Sequence, residues 1–403
     1  MNNRTVTIGA VVIVALAAIF YFATSQKKVS EDIKVGILLG FTGPIESLTP
    51  DMASGAELAF NEASNSGELL GGSKITILRA DSTCVDSAAA TAAAEDLLSQ
   101  GMTAMMGADC SGVTGAVATN VAVPNGFVMI SPSATSPGLT DLEDKGMFFR
   151  TAPSDARGGQ VLADITNDKG IKSVAITYVN SDYGLGLADV YKAAVEAYGI
   201  TVTTMASHES DKADYSADVG VLSSAGGDAL AVLGYLDNAG GHLIEGSLDS
   251  GAFDTFILSD GMIGQSLIDA FGKGLNKSFG SLPGSTGKGS KVFADVASAA
   301  GIDSSGPYTS ESYDAAALIV LAMQAGGSAD RSSIAKNVMA VANAPGTKIY
   351  PGQLGKALDL LAEGKAIDYE GATGVNFTDV GEAQGSFLEK EIKYGKFKTK
   401  KQR

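Results

Sequence analysis

The stretch IKVGILLGFTGPIESLTPDMASGAELAFNEAS, residues 33–64, sets the pattern that the rest of the chain repeats. Its apolar run Ile33–Leu39 predicts a buried strand ending at Gly40, and Met52–Ser64 has the apolar spacing of an amphipathic helix. A strand followed at once by a helix is the unit that builds parallel sheets with helices on both faces.

The same alternation continues to about residue 130 and then starts again. The first series predicts further strands at Lys74–Arg79, Ala104–Met106 and Phe127–Ile130, with helices at Ser87–Leu98 and Val113–Val123 between them. The second series predicts strands at Ser173–Tyr178, Thr201–Ala206, Ala229–Leu233 and Thr255–Leu258, again separated by helices. Two series of similar length predict an α/β protein with two doubly wound parallel-sheet lobes.

The remaining third of the chain carries a different set of signals. The Gly/Ser-rich segment Gly280–Ser290 predicts a link between lobes, and four helices follow it. Val375–Phe377 and Gly385–Tyr394 have the composition of closing strands, and the basic residues after them predict a solvated tail.

Composition limits the classes of function. The 403 residues suffice for two domains, and 45% hydrophobic content with 50 glycines fits a folded protein with many tight turns. A formal net charge of -16 argues against a nucleic-acid partner, because binding phosphates needs a positive surface.

The N-terminus has the order of an export signal. Arg4 precedes an apolar run over Val6–Phe22, and the small residues Ala23, Thr24 and Ser25 follow it. The run also approaches the length of a membrane span, so residues 1–29 are interpreted as either a signal peptide or an uncleaved anchor. In both cases the rest of the chain lies outside the cytoplasm.

The two cysteines fit that compartment. Cys84 and Cys110 predict one disulfide in an oxidising space. Metal binding is a poor interpretation of them, because the chain has only His208 and His242 and neither is near a cysteine in sequence. No cofactor is predicted.

Loops at the carboxyl ends of the predicted strands are where an open α/β sheet binds ligands. Ser111 follows one strand and opens a helix, and Ser131–Pro137 is a hydroxyl-rich turn after another. In the second series, Tyr183, Tyr235 and Asp260 occupy equivalent places. Singly, these residues are typical helix caps, turns or packing aromatics. Together they suit a zwitterion, with its carboxylate on hydroxyl and N–H donors and its ammonium on Asp260.

Several motifs in order resemble the branched-chain amino-acid-binding family of periplasmic solute-binding proteins, which have the type I periplasmic binding fold. The resemblance covers about Ile33 to Tyr394. Its motifs are IKVGILLGFTGP, the Cys84 and Cys110 pair, Cys110-Ser111, MISPSATSPGLT, SDYG, the Gly-Tyr at 234–235, SDG and SGPYTSESYDA at 305–315.

The resemblance implies a role for each candidate residue. Ser111 and Thr135 would hold a ligand α-carboxylate, the Ser133 carbonyl and the Thr135 hydroxyl would help to bind the ammonium, and Ala134 would line the site. Tyr183 and Tyr235 would close over the ligand. The family often has glutamate at the ammonium, where this chain has the shorter Asp260.

Glu46 is a departure from the family pattern, which often has small or aromatic residues after the Thr-Gly-Pro motif. A Glu46 that pointed inward would disfavour an aliphatic ligand, because an unpaired buried carboxylate is costly. A Glu46 at the surface would leave the ligand's side chain unrestricted. Both placements remain open at this point.

The resemblance also implies a three-segment hinge with crossings near Arg150–Pro153, Gly280–Pro283 and Gly371–Gly374. The first lobe would comprise residues 30–151 and 281–371, and the second residues 152–280 and 372–394, with a basic tail over 395–403.

The implied role is that of a periplasmic monomer that binds an amino acid and delivers it to an ABC-type membrane permease. A tethered ligand sensor with a separate receptor is the alternative. An enzyme is not expected, since neither histidine has a general-base pattern and no Gly-x-Ser-x-Gly motif occurs.

Overall fold

The computed structural model describes residues 32–403. The predicted signal peptide or anchor over residues 1–29 lies outside the described residues. Among those that are described, no helix is both long and apolar enough to cross a membrane.

The first lobe begins with a five-stranded parallel sheet of order β2-β1-β3-β4-β5. Its strands are β1 Asp32–Leu39, β2 Lys74–Asp81, β3 Ala104–Gly107, β4 Met129–Ser131 and β5 Phe148–Arg150. The helices between them are α1 Thr49–Ser66, α2 Ser87–Ser99 and α3 Ser111–Val117, which runs on through a wider turn to Asn125. Strands β3 and β4 are wholly buried, as expected for a parallel sheet covered on both faces.

The second lobe follows with the same alternation. Its helices are α4 Asp155–Asp168, α5 Asp182–Ala197, α6 Ser216–Ala225, α7 Gly241–Asp249 and α8 Gln265–Phe271. Its strands are β6 Ser173–Val179, β7 Thr201–His208, β8 Ala229–Leu233, β9 Phe256–Leu258 and β10 Phe279–Pro283.

The chain then returns to the first lobe. Helices α9 Lys288–Ala299, α10 Thr309–Gly326, α11 Arg331–Ala342 and α12 Leu354–Ala362 join a two-stranded sheet of β11 Thr347–Ile349 and β12 Ile367–Tyr369. Helix α10 packs against α1 and is buried over almost its whole length. It therefore forms the centre of the first lobe's core.

The last two strands complete the second sheet. Strands β13 Phe387–Ile392 and β14 Phe397–Gln402 give it the order β14-β13-β10-β9-β8-β6-β7. Strand β13 pairs antiparallel with both β10 and β14. The sequence predicts a solvated basic tail over 395–403; residues 397–402 instead form an edge strand, and residues 398–402 are exposed to solvent as predicted. Opposite charges hold the edge strand, since Lys400 lies 3.3 Å from Glu389 and Arg403 lies 2.6 Å from the same carboxylate.

Two other local predictions are also corrected. The Gly/Ser-rich link contains strand β10, whose five residues are buried between β9 and β13, so the connection to α9 spans only 284–287. Residues 375–377 form no strand and contribute one isolated bridge, between Phe377 and Ala383. The chain passes between the two lobes after β5, after β10 and before β13.

Candidate functional site

The parallel strands of both sheets point their carboxyl ends at one cavity between the lobes. Both lobes contribute to its wall, which is lined by Ile45, Leu48, Met52, Asp109, Cys110, Ser111, Ser133, Tyr183, Tyr235, Asp260, Gly261 and Tyr308.

Of the residues predicted from the sequence, Ser111, Ser133, Tyr183, Tyr235 and Asp260 line this cavity. Ala134 and Thr135 lie in the same loop as Ser133, and both are fully buried. The Thr135 Oγ1 atom has no hydrogen-bond partner within the described residues. Burying a hydroxyl without a hydrogen-bond partner costs free energy. Thr135 therefore places an unsatisfied polar group directly behind the cavity wall.

A buried carboxylate shapes the first lobe's polar wall. Asp109 accepts hydrogen bonds from the Gly40 N–H, from Ser82 Oγ at 2.8 Å and from the Cys110 N–H at 3.0 Å. Burial raises the pKa of Asp109, and these hydrogen bonds act in the opposite direction. The Ser133 Oγ donates to the Asp109 carbonyl at 3.0 Å, so this network joins the loops after β1, β2, β3 and β4.

The disulfide fixes the same loops. Cys84 and Cys110 are bonded with their Cα atoms 5.1 Å apart, as predicted. Cys110 lies directly before Ser111 at the start of α3, and Ser111 Oγ accepts a hydrogen bond from the Ser136 N–H at 3.1 Å. The covalent bond thus holds the cavity-lining hydroxyl to the loop after β2.

Reduction of this disulfide is expected to lower the melting temperature by roughly 5 °C. Closing a loop of 26 residues contributes about 3 to 4 kcal/mol by restricting the unfolded chain, and a protein of this size unfolds with a large entropy. Calorimetry with and without a reductant measures the shift, and a Cys84→Ser, Cys110→Ser double variant should match the reduced protein. An unchanged melting temperature would show that the bond adds nothing to stability.

Arg150 holds the loop over residues 133–136 through hydrogen bonds to its backbone. It is fully buried and donates to the Ala134 and Ser136 carbonyls at 3.0 and 2.8 Å. Its other terminal nitrogen pairs with Glu382 at 2.6 Å. Glu382 belongs to the third connection between lobes, so one side chain ties two of the three connections to the loop that holds Ser133 and Thr135.

The second lobe contributes aromatic rings and a carboxylate. Tyr183 opens α5 and stacks on Tyr235, with ring centroids 5.2 Å apart. The Tyr183 hydroxyl donates to Asp260 Oδ1 at 2.6 Å, and the Tyr308 hydroxyl donates to Asp260 Oδ2. Burial raises the pKa of Asp260, and the two tyrosine hydrogen bonds lower it.

Tyr308 is a site residue that the sequence analysis did not single out. It belongs to the first lobe, directly before α10, and has a left-handed backbone with φ 60°. Its motif, SGPYTSESYDA, was among the segments that carry the family resemblance. The available signal was its position as an aromatic residue between a Gly-Pro turn and the start of a helix. The neighbouring sequence does not show that its side chain reaches the opposite lobe.

Hydrogen bonds between the lobes show that the cleft is closed. The Ser47 N–H donates to Asp237 Oδ2 at 2.9 Å, and the Asp237 N–H donates to the Pro44 carbonyl at 3.0 Å. On the other side, Ser136 Oγ donates to the Asp182 carbonyl at 3.0 Å.

Glu46 has an exposed side chain and lines an outer groove rather than the cavity between the lobes. The surface placement of Glu46 is therefore the one observed. Its neighbours Ile45 and Leu48 point into the cavity with Met52, giving one apolar wall.

Metal ligation finds no support in this region. Within residues 32–403, no three His, Cys, Asp or Glu side chains are placed to hold an ion. His208 is buried against Thr177, at 2.8 Å from its hydroxyl, and burial lowers the pKa of this histidine to about 4.

Two α/β lobes closed over a shared cavity define a ligand-binding protein of the two-lobed type. The comparison with known families agrees, because the periplasmic binding protein model matches residues 32–367. The chain belongs to this family.

Individual relatives share most of the chain. It is 31% identical over 332 residues to the Leu/Ile/Val-binding protein homolog 1 of Brucella abortus, covering 80% of this chain and 85% of that protein. It is 26% identical over 352 residues to the chemotactic signal transduction system substrate-binding protein BasB of Halobacterium salinarum, covering 85% and 83%.

Among solved structures, the fold is similar to that of the branched-chain amino acid transporter substrate-binding protein LivJ of Streptococcus pneumoniae, solved in complex with isoleucine. The TM-score is 0.76 with 22% identity, covering 93% of this chain and 99% of that chain. This likeness establishes the type I two-lobed fold.

Proposed function

We propose that the protein is the extracytoplasmic solute-binding component of an ABC importer and that it captures an amino acid in its closed cleft. The observation that carries the proposal is the polarity of the cavity. A buried carboxylate, Asp260, lies on the second lobe, and hydroxyl and N–H donors around Ser111 lie on the first.

The donors of the first lobe suit a ligand carboxylate. Ser111 contributes a hydroxyl and the first N–H of α3, and the buried loop that carries Ser133 and Thr135 lies beside it. Hydrogen bonds to a charged acceptor are roughly twice as strong as neutral ones, which gives selectivity for an anion at this end.

The ammonium end is formed by Asp260 with the stacked rings of Tyr183 and Tyr235. A buried carboxylate without a nearby cation is unfavourable, and a ligand with an ammonium group would stabilise it by supplying the positive charge. The apolar wall of Ile45, Leu48 and Met52 would then receive an aliphatic side chain. Branched-chain amino acids and their relatives satisfy all three requirements.

Closure of the two lobes over the ligand distinguishes the loaded protein from the empty one. A ligand that touches both lobes binds the closed form better than an open one and shifts the population toward it. A membrane permease of the ABC type would receive the closed, loaded monomer.

A thermal-shift screen of the purified chain tests the proposal, because a ligand of the folded state stabilises it by about 2.7 kcal/mol at about one hundred times its Kd. The panel compares leucine with isocaproate, which lacks the amino group, and with isopentylamine, which lacks the carboxylate. It also contains the other common amino acids, sugars, polyamines and benzoate. Leucine or a relative should raise the melting temperature, and neither truncated analogue should. A shift only with ligands that lack an amino group would refute the zwitterion site.

The second candidate function is a membrane-tethered sensing domain, and the similarity to the chemotaxis protein BasB favours it. The mass of the mature protein from its host distinguishes the two roles. Retention of residues 6–22 favours the sensor, and a chain that begins near Ser25 favours a diffusing transport receptor.

A further inference from the structure

A second buried carboxyl group, Asp155, stands behind the ligand cavity. It is the first residue of α4, directly after the first connection between lobes, and it is 3% exposed. Its N–H donates to the Thr135 carbonyl at 2.8 Å, which places it against the loop that lines the ligand site. Its Oδ2 atom has no hydrogen-bond partner within the described residues.

Asp155 and Asp260 border the same small cavity. This second cavity is distinct from the ligand cavity, but Asp260 lies in the wall of both. The Thr135 hydroxyl faces Asp155 and, as a hydrogen-bond donor, lowers the pKa of that carboxyl group. Two buried carboxyl groups therefore border one cavity beside the ammonium end of the proposed site.

The groups that face Asp155 provide little positive charge. From β5, Arg150 is already engaged by Glu382 and two carbonyl oxygens. From α5, β10 and β13 the cavity receives Leu187, Ser281 and Phe387, which are uncharged. The hydroxyls of Tyr183 and Tyr308 are directed to Asp260.

Two buried, ionised carboxylates without a free cation would be strongly unfavourable. Burial raises the pKa of Asp155 well above its usual value, and the charge of Asp260 raises it further, while Thr135 and Arg150 act in the opposite direction. Paired acids of this kind titrate together and release their protons in two separated steps.

We propose that Asp155 and Asp260 share one proton in the ligand-free protein, and that the ammonium group of the bound amino acid displaces it. The inference rests on the proposed function, since it needs a ligand with an ammonium group. The O–H bond of the carboxyl group breaks, the proton passes to solvent, and the ligand's N–H groups take its place. The total charge at the two carboxyl groups is the same in the free protein and in the complex, because the positive charge of the ammonium group replaces that of the proton.

The sign of the pH dependence follows from linkage. The proton is held in the free protein and lost in the complex, so low pH favours the free protein and affinity rises with pH. Release of one full proton gives about a tenfold gain in affinity per pH unit, within the window between the lowered pKa of the complex and the raised pKa of the free protein. The gain ends once the free protein no longer carries the proton.

Titration calorimetry with the amino acid identified in the screen tests this inference. Measurements in phosphate and in Tris, whose ionisation enthalpies differ, give the number of protons released, between about pH 5 and about pH 8. The wild-type protein should release close to one proton, and Asp155→Asn should release almost none and bind with a nearly constant affinity. Asp189→Asn, an exposed change of equal charge on α5, should behave as wild type.

The outcomes separate this inference from the proposed function. Tight binding without proton release would overturn the shared proton and leave the amino-acid site intact. Proton release that persists in Asp155→Asn would equally overturn it, since another group would be the carrier. If no amino acid binds, the proposed function fails and the inference fails with it. The proton count on the wild-type protein is informative even if the variant does not fold.

Discussion

Replacement of Asp260 with alanine is expected to weaken amino-acid binding at least about a hundredfold, or about 3 kcal/mol. The ligand's ammonium group would be desolvated in a closed cavity without its counter-charge. Calorimetry on wild type and variant measures the loss. Asp260→Asn keeps the volume of the side chain and should lie between the two, because the amide oxygen accepts a hydrogen bond without a full charge.

Glu46→Gln is the matched control for this test. It removes one negative charge near the cleft, but its side chain is exposed in the outer groove. We expect its affinity to lie within about twofold of wild type, as for exposed charges generally. Equal affinities for Asp260→Ala and wild type would remove Asp260 from the binding site.

Replacement of Arg150 with methionine is expected to lower the free energy of unfolding by about 3 to 5 kcal/mol. The change leaves Glu382 without its partner and the Ala134 carbonyl without a donor, and it removes one of the two donors to the Ser136 carbonyl. Urea unfolding, followed by circular dichroism, measures the loss. Ligand affinity should also fall, because these carbonyls hold the loop that carries Ser133 and Thr135.

The double variant Arg150→Met, Glu382→Gln separates the cost of an unpaired charge from the loss of loop contacts. It should recover part of the lost stability, because the stranded carboxylate is removed. No recovery would mean that the carbonyl contacts carry the whole effect. A single variant as stable as wild type would show that the ion pair contributes nothing.

The alternating strands and helices of both lobes were predictable because burial on two faces leaves a continuous apolar run, as in Ala229–Leu233. Strand β10 was not, because FGSLP has weak strand propensity and is held between β9 and β13, of which β13 comes from a distant part of the chain. Strand β14 was missed for a related reason. From the sequence alone its lysines predict a solvent-exposed segment. Only the fold shows that the glutamates of β13 lie opposite them.

Within the site, residues that end a strand or open a helix were accessible to sequence reasoning, as Ser111, Tyr183 and Asp260 show. Tyr308 and Asp155 were not identified. Tyr308 crosses from the first lobe to Asp260, and Asp155 reaches the cavity from the first turn of α4. Both placements depend on how the lobes and their connections pack, which no local pattern encodes.

The antiparallel strands at the end of the chain also constrain when the second lobe can finish folding during synthesis. Strands β6 to β10 are made well before β13 and β14, and until then β10 is an open edge with unpaired backbone groups. The whole of α9 to α12 must be synthesised in between. The second sheet therefore cannot be completed until β13 and β14 have been synthesised.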